Sequence, residues 1–583
     1  MNPTYGVFVV ALVAVATVGI GAFGLRVSRT TSDFYVASRT ISPWWNASAI
    51  GGEYLSAASF LGIAGLILAF GADMLWYPVG WTAGYLVLLL LVAAPLRRSG
   101  AYTLPDFAEA RLESMAARRA ASVLVVLIGW LYLMPQFQGA GLTLRTVTGA
   151  PAWAGGLVVA AVVLVSVLSG GMRSITFVQT FQYWLKLTAL AIPVIFLLLV
   201  WRGDGSPSPT TSELTEFREA TSVTMSTSAK LAAPEQVTVT VSGVVDGVSY
   251  QDEEVSLSPG QHEVRSGSTL EFPAGAAVPV AEHLEPLTTD DWATPLGGGE
   301  AHPLYATYSL ILATFLGTMG LPHVLVRFYT NPDGRAARRT TLAVLVLLGA
   351  FYLFPAVYGA LGRLYAPDLL VTGRTDAVVL ELPGRMIGGA LGDALGALLT
   401  AGAFAAFLST SSGLCVSVAG VLSQDIMARW VHGVRAFRLA TALAVSVPFG
   451  LAIAGQRLSI ANAVGLAFAV AASTFCPLLL LGIWWRRLTD VGAVAGLVAG
   501  GALSGGAVLL TILGVTSDGW LGGWLDALLA QPAAWTVPMA FVVMIAVSLA
   551  SSRRMAPNVA RTMVRLHTPE QLDVNRGDWR PNR

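Results

Sequence analysis

Apolar runs about as long as a bilayer crossing recur along the whole chain, and nothing else in the sequence constrains its fold as strongly. A hydrocarbon core about 30 Å thick needs roughly 20 apolar residues of helix. Thirteen such segments can be placed, at about 5–25, 46–70, 74–96, 120–144, 152–169, 175–201, 304–328, 340–362, 390–422, 436–455, 459–485, 489–514 and 534–552. Composition agrees, at 55% hydrophobic and 12% charged over 583 residues, where soluble domains carry about 25% charged residues. In hydrocarbon the backbone must satisfy its own hydrogen bonds, so these segments are expected to be helices. The fold class expected is an all-α polytopic membrane protein with about thirteen transmembrane helices. A net charge of +1 points to no nucleic-acid partner. Cys415 and Cys476 both lie in apolar runs, which speaks against a disulfide framework. The first run lacks a basic leader and a small-residue cleavage site, so it is expected to be a retained span.

Loop charge orients the spans. With the N-terminus outside, alternate loops and the tail hold 25 of the 35 basic residues, among them Arg26, Arg29, Arg39, Arg97, Arg98, Arg111, Arg118, Arg119, Arg173, Arg335, Arg429 and Arg486. The short loops on the other side hold five: Arg145, Arg363, Arg374, Arg385 and Arg457. That is the positive-inside pattern. The expected location is the cell membrane, multi-pass, with the N-terminus outside and the C-terminus cytoplasmic.

Four regions follow: residues 1–201 with spans 1–6, an insert at 202–300, residues 301–552 with spans 7–13, and a solvated cytoplasmic tail at 553–583. The insert is polar and holds 16 of the 34 acidic residues against four basic ones. Within it, EQVTVTVSGVVDGVSY (235–250) and GQHEVRSGSTLEF (260–272) alternate apolar and polar residues between glycine turns, the pattern of short antiparallel strands. It is expected to be a small β-rich extracytoplasmic unit with no transport role. A mostly disordered loop is the other reading.

Two spans carry residues that interrupt a helix. Span 2 contains Gly51-Gly52-Glu53, followed by Ser56, Ala57, Ala58 and Ser59. Unwound backbone at membrane depth is tolerated where it is buried in protein or lines a cavity. Glycine lowers the cost of a break, being about 1 kcal/mol less favourable than alanine in a helix. The bland reading is that the glycines only let helices pack closely. Span 7 contains Gly317, Gly320 and Pro322, then His323 and Arg327, and proline removes a helix hydrogen bond. The two spans are five apart, and interrupted segments in corresponding halves point to a transport site between inverted repeats. The expectation is a 5+5 arrangement, spans 2–6 (about 46–201) against spans 7–11 (about 304–485), with spans 1, 12 and 13 added. In span 9, Ser409, Thr410, Ser411 and Ser412 offer hydroxyl oxygens suited to an alkali cation, though such serines also serve as interhelical glue.

These residues resemble the sodium/solute symporter family, closest to its cation–acetate and monocarboxylate branch. The resemblance covers roughly residues 30–490 and rests on SDFYVASRTISPWWNASAIGGEYLSAASFLGIAG (32–65), YPVGW (77–81), LPDF (104–107), SGGMRSITFVQTFQ (169–182), GTMGLPHVLVRFYTNP (317–332) and FLSTSSGLCVSVAGVLSQDI (407–426). It implies a LeuT-type fold and no enzyme activity or cofactor, with Na⁺ as the coupling ion. It implies a sodium site made by carbonyls of Gly52, Leu55 and Ala406 and hydroxyls of Ser409 and Thr410. Gln179 stands where some members carry an aspartate, which counts against a second sodium. Pro78 and Trp81 replace the polar groups of sugar carriers. Glu53, Tyr54, Ser56, Ser59, Trp81 and Thr318 are the candidate substrate pocket.

Glu53 could lend charge to the cation site, carry a proton, or sit neutral and hydrogen-bonded. Lys186 could pair with a carboxylate or snorkel, and Arg327 is expected to be structural. The expected function is sodium-coupled import of a short monocarboxylate such as acetate by alternating access. Proton coupling through Glu53, another small organic solute, or a transporter-like sensor are the alternatives. The expected partners are lipid, Na⁺ and a small organic anion, with no oligomer required. Phosphate-binding loops, metal-ligand clusters and catalytic triads are not recognisable.

Overall fold

The computed structural model describes residues 3–25, 41–169, 172–210, 212–284, 286–296, 302–454, 459–513, 515, 523–570 and 572. Arg26, Arg29, Arg39, Arg457, residues 32–40 of the 32–65 motif and the end of the tail lie outside them. Among the described residues, eleven helices are long and apolar enough to cross a membrane, against the thirteen expected. One of them, Ala58–Ser99, runs 42 residues through a turn at Gly71, where φ is +72°. The expected fifth span is the apolar helix Ala152–Ser169, 18 residues long. The numbers of the expected spans serve below as names. Span 2 is Pro43–Tyr54 and Ile63–Phe70, span 3 opens with Trp76–Val87, span 4 is Met115–Thr148 and span 6 is Met172–Gly203. Span 7 is Pro303–Thr318 and Pro322–Val326, span 8 is Gly334–Tyr365, span 9 is Gly389–Val421 and span 11 is Ile460–Trp484.

The packing between spans repeats with the roles of the two halves exchanged. Span 2 packs on span 6, as span 7 packs on span 11. Span 2 also meets span 8, as span 7 meets span 3. Span 9 lies on span 6, as span 4 lies on span 11, and spans 4 and 9 cross each other. First with fifth, first with the other half's second, and third with the other half's fifth: every pairing has its counterpart. That reciprocity is what a five-helix unit and its inverted copy produce.

The 202–300 segment carries seven strands: β1 (Thr221–Thr224), β2 (Ala229–Ala233), β3 (Val237–Val245), β4 (Val248–Leu257), β5 (Gly260–Val264), β6 (Thr269–Phe272) and β7 (Val280–Ala281). They form one antiparallel sheet in the order β1-β6-β3-β5-β2-β7, with β4 on β3. Along β3, Val237, Val239, Val241 and Val245 are buried. The β3–β4 hairpin turns on Asp246 and Gly247, both at positive φ, the two-residue turn that Asp-Gly favours. The Trp292 indole N–H, from just beyond the sheet, donates to Ile67 O at 2.8 Å and so holds this unit against the end of span 2. An added Cβ at Gly71 would run into Trp292 O.

The tail is less solvated than expected. Val559–His567 is a helix with Met563 and Leu566 buried, because its apolar residues recur on one face. Arg565 donates to Arg98 O, and Glu570 accepts from Arg98 and from Gly334 N.

Candidate functional site

Span 2 starts behind Ser42 with Pro43 at its first turn and stays helical through Tyr54. Leu55 is extended, with ψ of 91°, and a π turn at Ala58–Gly62 leads into the second half. The interruption therefore falls at Leu55 and Ser56, three residues beyond the Gly51-Gly52 pair on which the sequence placed it. Those glycines are helical for a packing reason. A Cβ on Gly52 would collide with Gln179 O, and one on Gly51 would sit 2.8 Å from the Tyr183 ring. They let span 6 approach the break, and that approach delivers the side chain the sequence left without a role.

Lys186 of span 6 is fully buried. Its ammonium donates to Gly52 O, to Leu55 O at 2.6 Å and to Ser409 Oγ at 2.8 Å. Three of the five expected sodium ligands thus converge on one point, and an ammonium stands there. Its three N–H groups meet three acceptors, all it has to give. Ser409 donates its own proton to Ala406 O at 3.0 Å, which leaves its lone pairs for the lysine. Thr410 Oγ1 donates to Glu53 O at 2.6 Å, so it ties span 9 to span 2 from the neighbouring carbonyl. Lys186 neither snorkels nor pairs with a carboxylate. The break in span 2 supplies free carbonyls at depth, where no water competes for them.

Glu53, one of the candidate pocket residues, has its carboxylate engaged by a side chain of span 7. Its carboxylate accepts from Arg327 Nε at 2.7 Å, with both side chains buried. The same guanidinium donates to Thr176 Oγ1 at 2.7 Å and to Gln179 Oε1. Gln179 Nε2 in turn donates to Ser409 O at 2.9 Å, and Asn46 Nδ2 donates to Arg327 O at 3.1 Å. A planar, five-donor guanidinium suits such a multi-partner cage. Gly413 makes room for it, since a Cβ there would run into the Glu53 carboxylate. Arg327 claims the carboxylate that could have served a cation.

Span 7 breaks at Met319–Leu321: Leu321 is extended and Pro322 opens the second half-helix. Gly317 and Gly320 let span 7 lie on Phe468 and Ala471 of span 11, whose carbonyl oxygens a Cβ would approach within 2.5 Å at Gly317 and closer at Gly320. Tyr54 bridges the two breaks, bonding Thr318 Oγ1 at 2.9 Å and Trp81 O at 3.2 Å. Three candidate pocket residues are therefore joined directly. Ser59 bonds the Tyr352 hydroxyl at 2.9 Å. Trp81 lies 5.5 Å from the Phe468 ring, which also faces Tyr132 and Tyr54. Ser56 is buried at the head of the second half-helix. The next amide, Ala57 N, donates to Gln136 Oε1 at 2.9 Å. Tyr132, Gln136, Tyr352 and Phe468 were not anticipated. Of these only Gln136 carried a signal, as one of two amide side chains in a largely apolar run. Trp81, Tyr54 and Tyr132 are each about 1% exposed, so the lining is occluded from solvent.

Known proteins share both the sequence and this architecture. The model of the sodium:solute symporter family matches residues 34–262 and 275–500. A monocarboxylic acid transporter of Corynebacterium glutamicum is 31% identical over 561 residues, covering 92% of this chain and 89% of that protein. The uncharacterized symporter YwcA of Bacillus subtilis is 29% identical over 563 residues, covering 91% and 95%. Among solved structures, a Na⁺-coupled sialic acid symporter in a substrate-bound outward-open state is similar with a TM-score of 0.58 at 14% identity, covering 93% of this chain and 97% of that one. Mhp1, a nucleobase-cation-symport-1 family transporter in a closed conformation, gives 0.50 at 12%, covering 92% and 99%. At such identities the likeness is one of fold, the LeuT-like inverted repeat. The relatives named for a function are transporters rather than enzymes, and Na⁺ is the coupling ion of the group. With most of its length matched, the chain belongs to the sodium:solute symporter family.

Proposed function

We propose that this chain imports a short monocarboxylate, such as acetate, together with Na⁺ across the cell membrane by alternating access. The N-terminus and the β-rich insert lie outside in this reading, and the C-terminus is cytoplasmic. Sodium is held between the span 2 break and span 9 by Gly52, Leu55, Ala406, Ser409 and Thr410. The substrate sits beside them among Tyr54, Ser56, Ser59, Trp81 and Thr318. The observation that carries the reading is the convergence of Gly52 O, Leu55 O and Ser409 Oγ on one buried cation position next to that aromatic lining. A lining of rings, hydroxyls and half-helix ends suits a small anion with a short apolar tail. Oriented backbone amides can hold its carboxylate without an arginine, and Arg327 is already engaged by Glu53. The 31% identity to a monocarboxylic acid transporter supports the same substrate class.

Coupling is a linkage: if sodium tightens substrate binding, substrate tightens sodium binding by the same factor. The test is uptake of labelled acetate, pyruvate and proline into proteoliposomes, with and without an inward sodium gradient. Acetate or pyruvate uptake stimulated by sodium is expected, with the stimulation abolished by Ser409→Ala combined with Thr410→Ala. Undiminished uptake in that double variant, or uptake of proline alone, overturns the assignment.

A further inference from the structure

The sodium cradle already contains a cation that cannot leave the protein. We propose that the Lys186 ammonium and Na⁺ are alternative occupants of the Gly52–Leu55–Ser409 site, so that Lys186 is a tethered competitor that sodium must displace. The inference rests on reading that cradle as the cation site, and it adds what controls entry.

Lys186 Nζ takes Gly52 O, Leu55 O and Ser409 Oγ, the last two at 2.6 and 2.8 Å. A sodium ion bound by the same oxygens would share that position. Two unit charges so close in a low-dielectric interior repel strongly, and among the described residues no carboxylate bonds Lys186 to offset a second one. Glu53, next to Gly52, is paired with Arg327. From span 8, the neutral phenol of Tyr358 faces span 6 and donates to Leu190 O. Lys186 contributes what sodium would contribute, a positive charge that draws the unwound Leu55 segment towards span 9. A lysine stem can swing its head out of the cradle where a coordinated backbone cannot. The apparent sodium affinity is reduced by the fraction of molecules in which Lys186 is out of the way.

The experiment measures ²²Na⁺ binding to the purified full chain at one fixed pH, for the wild type, Lys186→Met, Lys186→Gln and Lys186→Met with Ser409→Ala. Half-saturating sodium is expected to fall about tenfold or more in both single variants, and the gain is expected to vanish when Ser409 is also removed. Because an empty cradle leaves three oxygens unpaired, thermal unfolding is read alongside. Sodium chloride, against choline chloride, is expected to raise the melting temperature of Lys186→Met and to leave the wild type nearly unchanged. Equal or weaker sodium affinity in both lysine variants, together with no sodium-specific rise in melting temperature, overturns the proposal. No solute is present in this assay, so failure of acetate uptake would refute the substrate reading and leave this one standing. Sodium-stimulated uptake in a chain whose lysine variants bind sodium no better would do the reverse.

Discussion

Two buried cations approach the same turn of span 2 and are satisfied in opposite ways. Arg327 meets a carboxylate, Glu53, and fills its remaining donors with Thr176 and Gln179. Lys186 meets only neutral oxygens. The first arrangement cancels its charge and joins span 2 to spans 6 and 7. The second leaves a net positive charge resting on oxygens that any small cation could use. A neutralised pair is a fastener, whereas an ammonium held by two carbonyls and a hydroxyl is, in the proposal above, exchangeable. The contrast separates what holds the half-helices together from what can respond to an ion.

The largest test breaks the fastener. Glu53→Gln leaves Arg327 buried without its counter-charge, and removing one partner of a buried pair costs about 3–5 kcal/mol. A marked fall in melting temperature is expected, with Glu53→Gln plus Arg327→Met recovering part of it. An unchanged melting temperature in the single variant would show that the pair holds nothing. The next test moves the cradle without altering its chemistry. Gly52→Ala forces span 6 away from span 2, at about 1–3 kcal/mol of overpacking, and carries Lys186 with it. Gly349→Ala is the control, since a Cβ there meets nothing within 4 Å. Loss of sodium-stimulated uptake is expected in the first and none in the second.

The smallest effect belongs to the insert, where an ion pair sits near water and serves as the solvated counterpart to Glu53–Arg327. His262 Nδ1 lies 2.7 Å from Asp246 Oδ2. Burial alone would lower the imidazole, but the bonds to Asp246 and Ser258 O outweigh it and raise its pKa above 6.5. Burial would likewise raise Asp246, and the bonds from His262 and Glu263 N lower it below 3.8. The raised histidine stabilises the hairpin fully below 6.5, and this is lost as pH climbs through its folded value. The depressed aspartate stabilises above 3.8, and this is lost as pH falls through its folded value. With Asp246 half exposed, the contribution stays below about 1 kcal/mol. Slightly greater amide protection of residues 237–264 in the wild type than in His262→Gln is expected under mildly acid conditions, vanishing on the alkaline side. Equal protection at every pH would remove the pair from consideration.

Much of the architecture was readable along the chain because the forces behind it act locally. Hydropathy selects helices in a bilayer, valines at every second position select a strand face, and Asp246-Gly247 selects the hairpin turn. Pro322 interrupts span 7 close to where it stands in the sequence, with Gly317 and Gly320 beside it, whereas Pro135, Pro355 and Pro477 are carried inside continuous helices. Gly51-Gly52 misled because a glycine states only that a side chain is missing. Whether it marks a break or a close contact depends on what lies opposite, here Gln179 and Tyr183 on another span. The hydroxyls at Ser409 and Thr410 were visible, but not that one would accept from a lysine and the other donate to Glu53 O.

By itself, then, the sequence determined the solvent, the helical class, the strand alternation and the oxygen-bearing residues, since each depends on a few neighbours and the medium. Only the tertiary structure decided that Glu53 belongs to Arg327, 274 positions away, and that Lys186 belongs to the cradle. A buried charge takes whichever partner the packing brings within bonding distance, and in hydrocarbon no water can substitute for it.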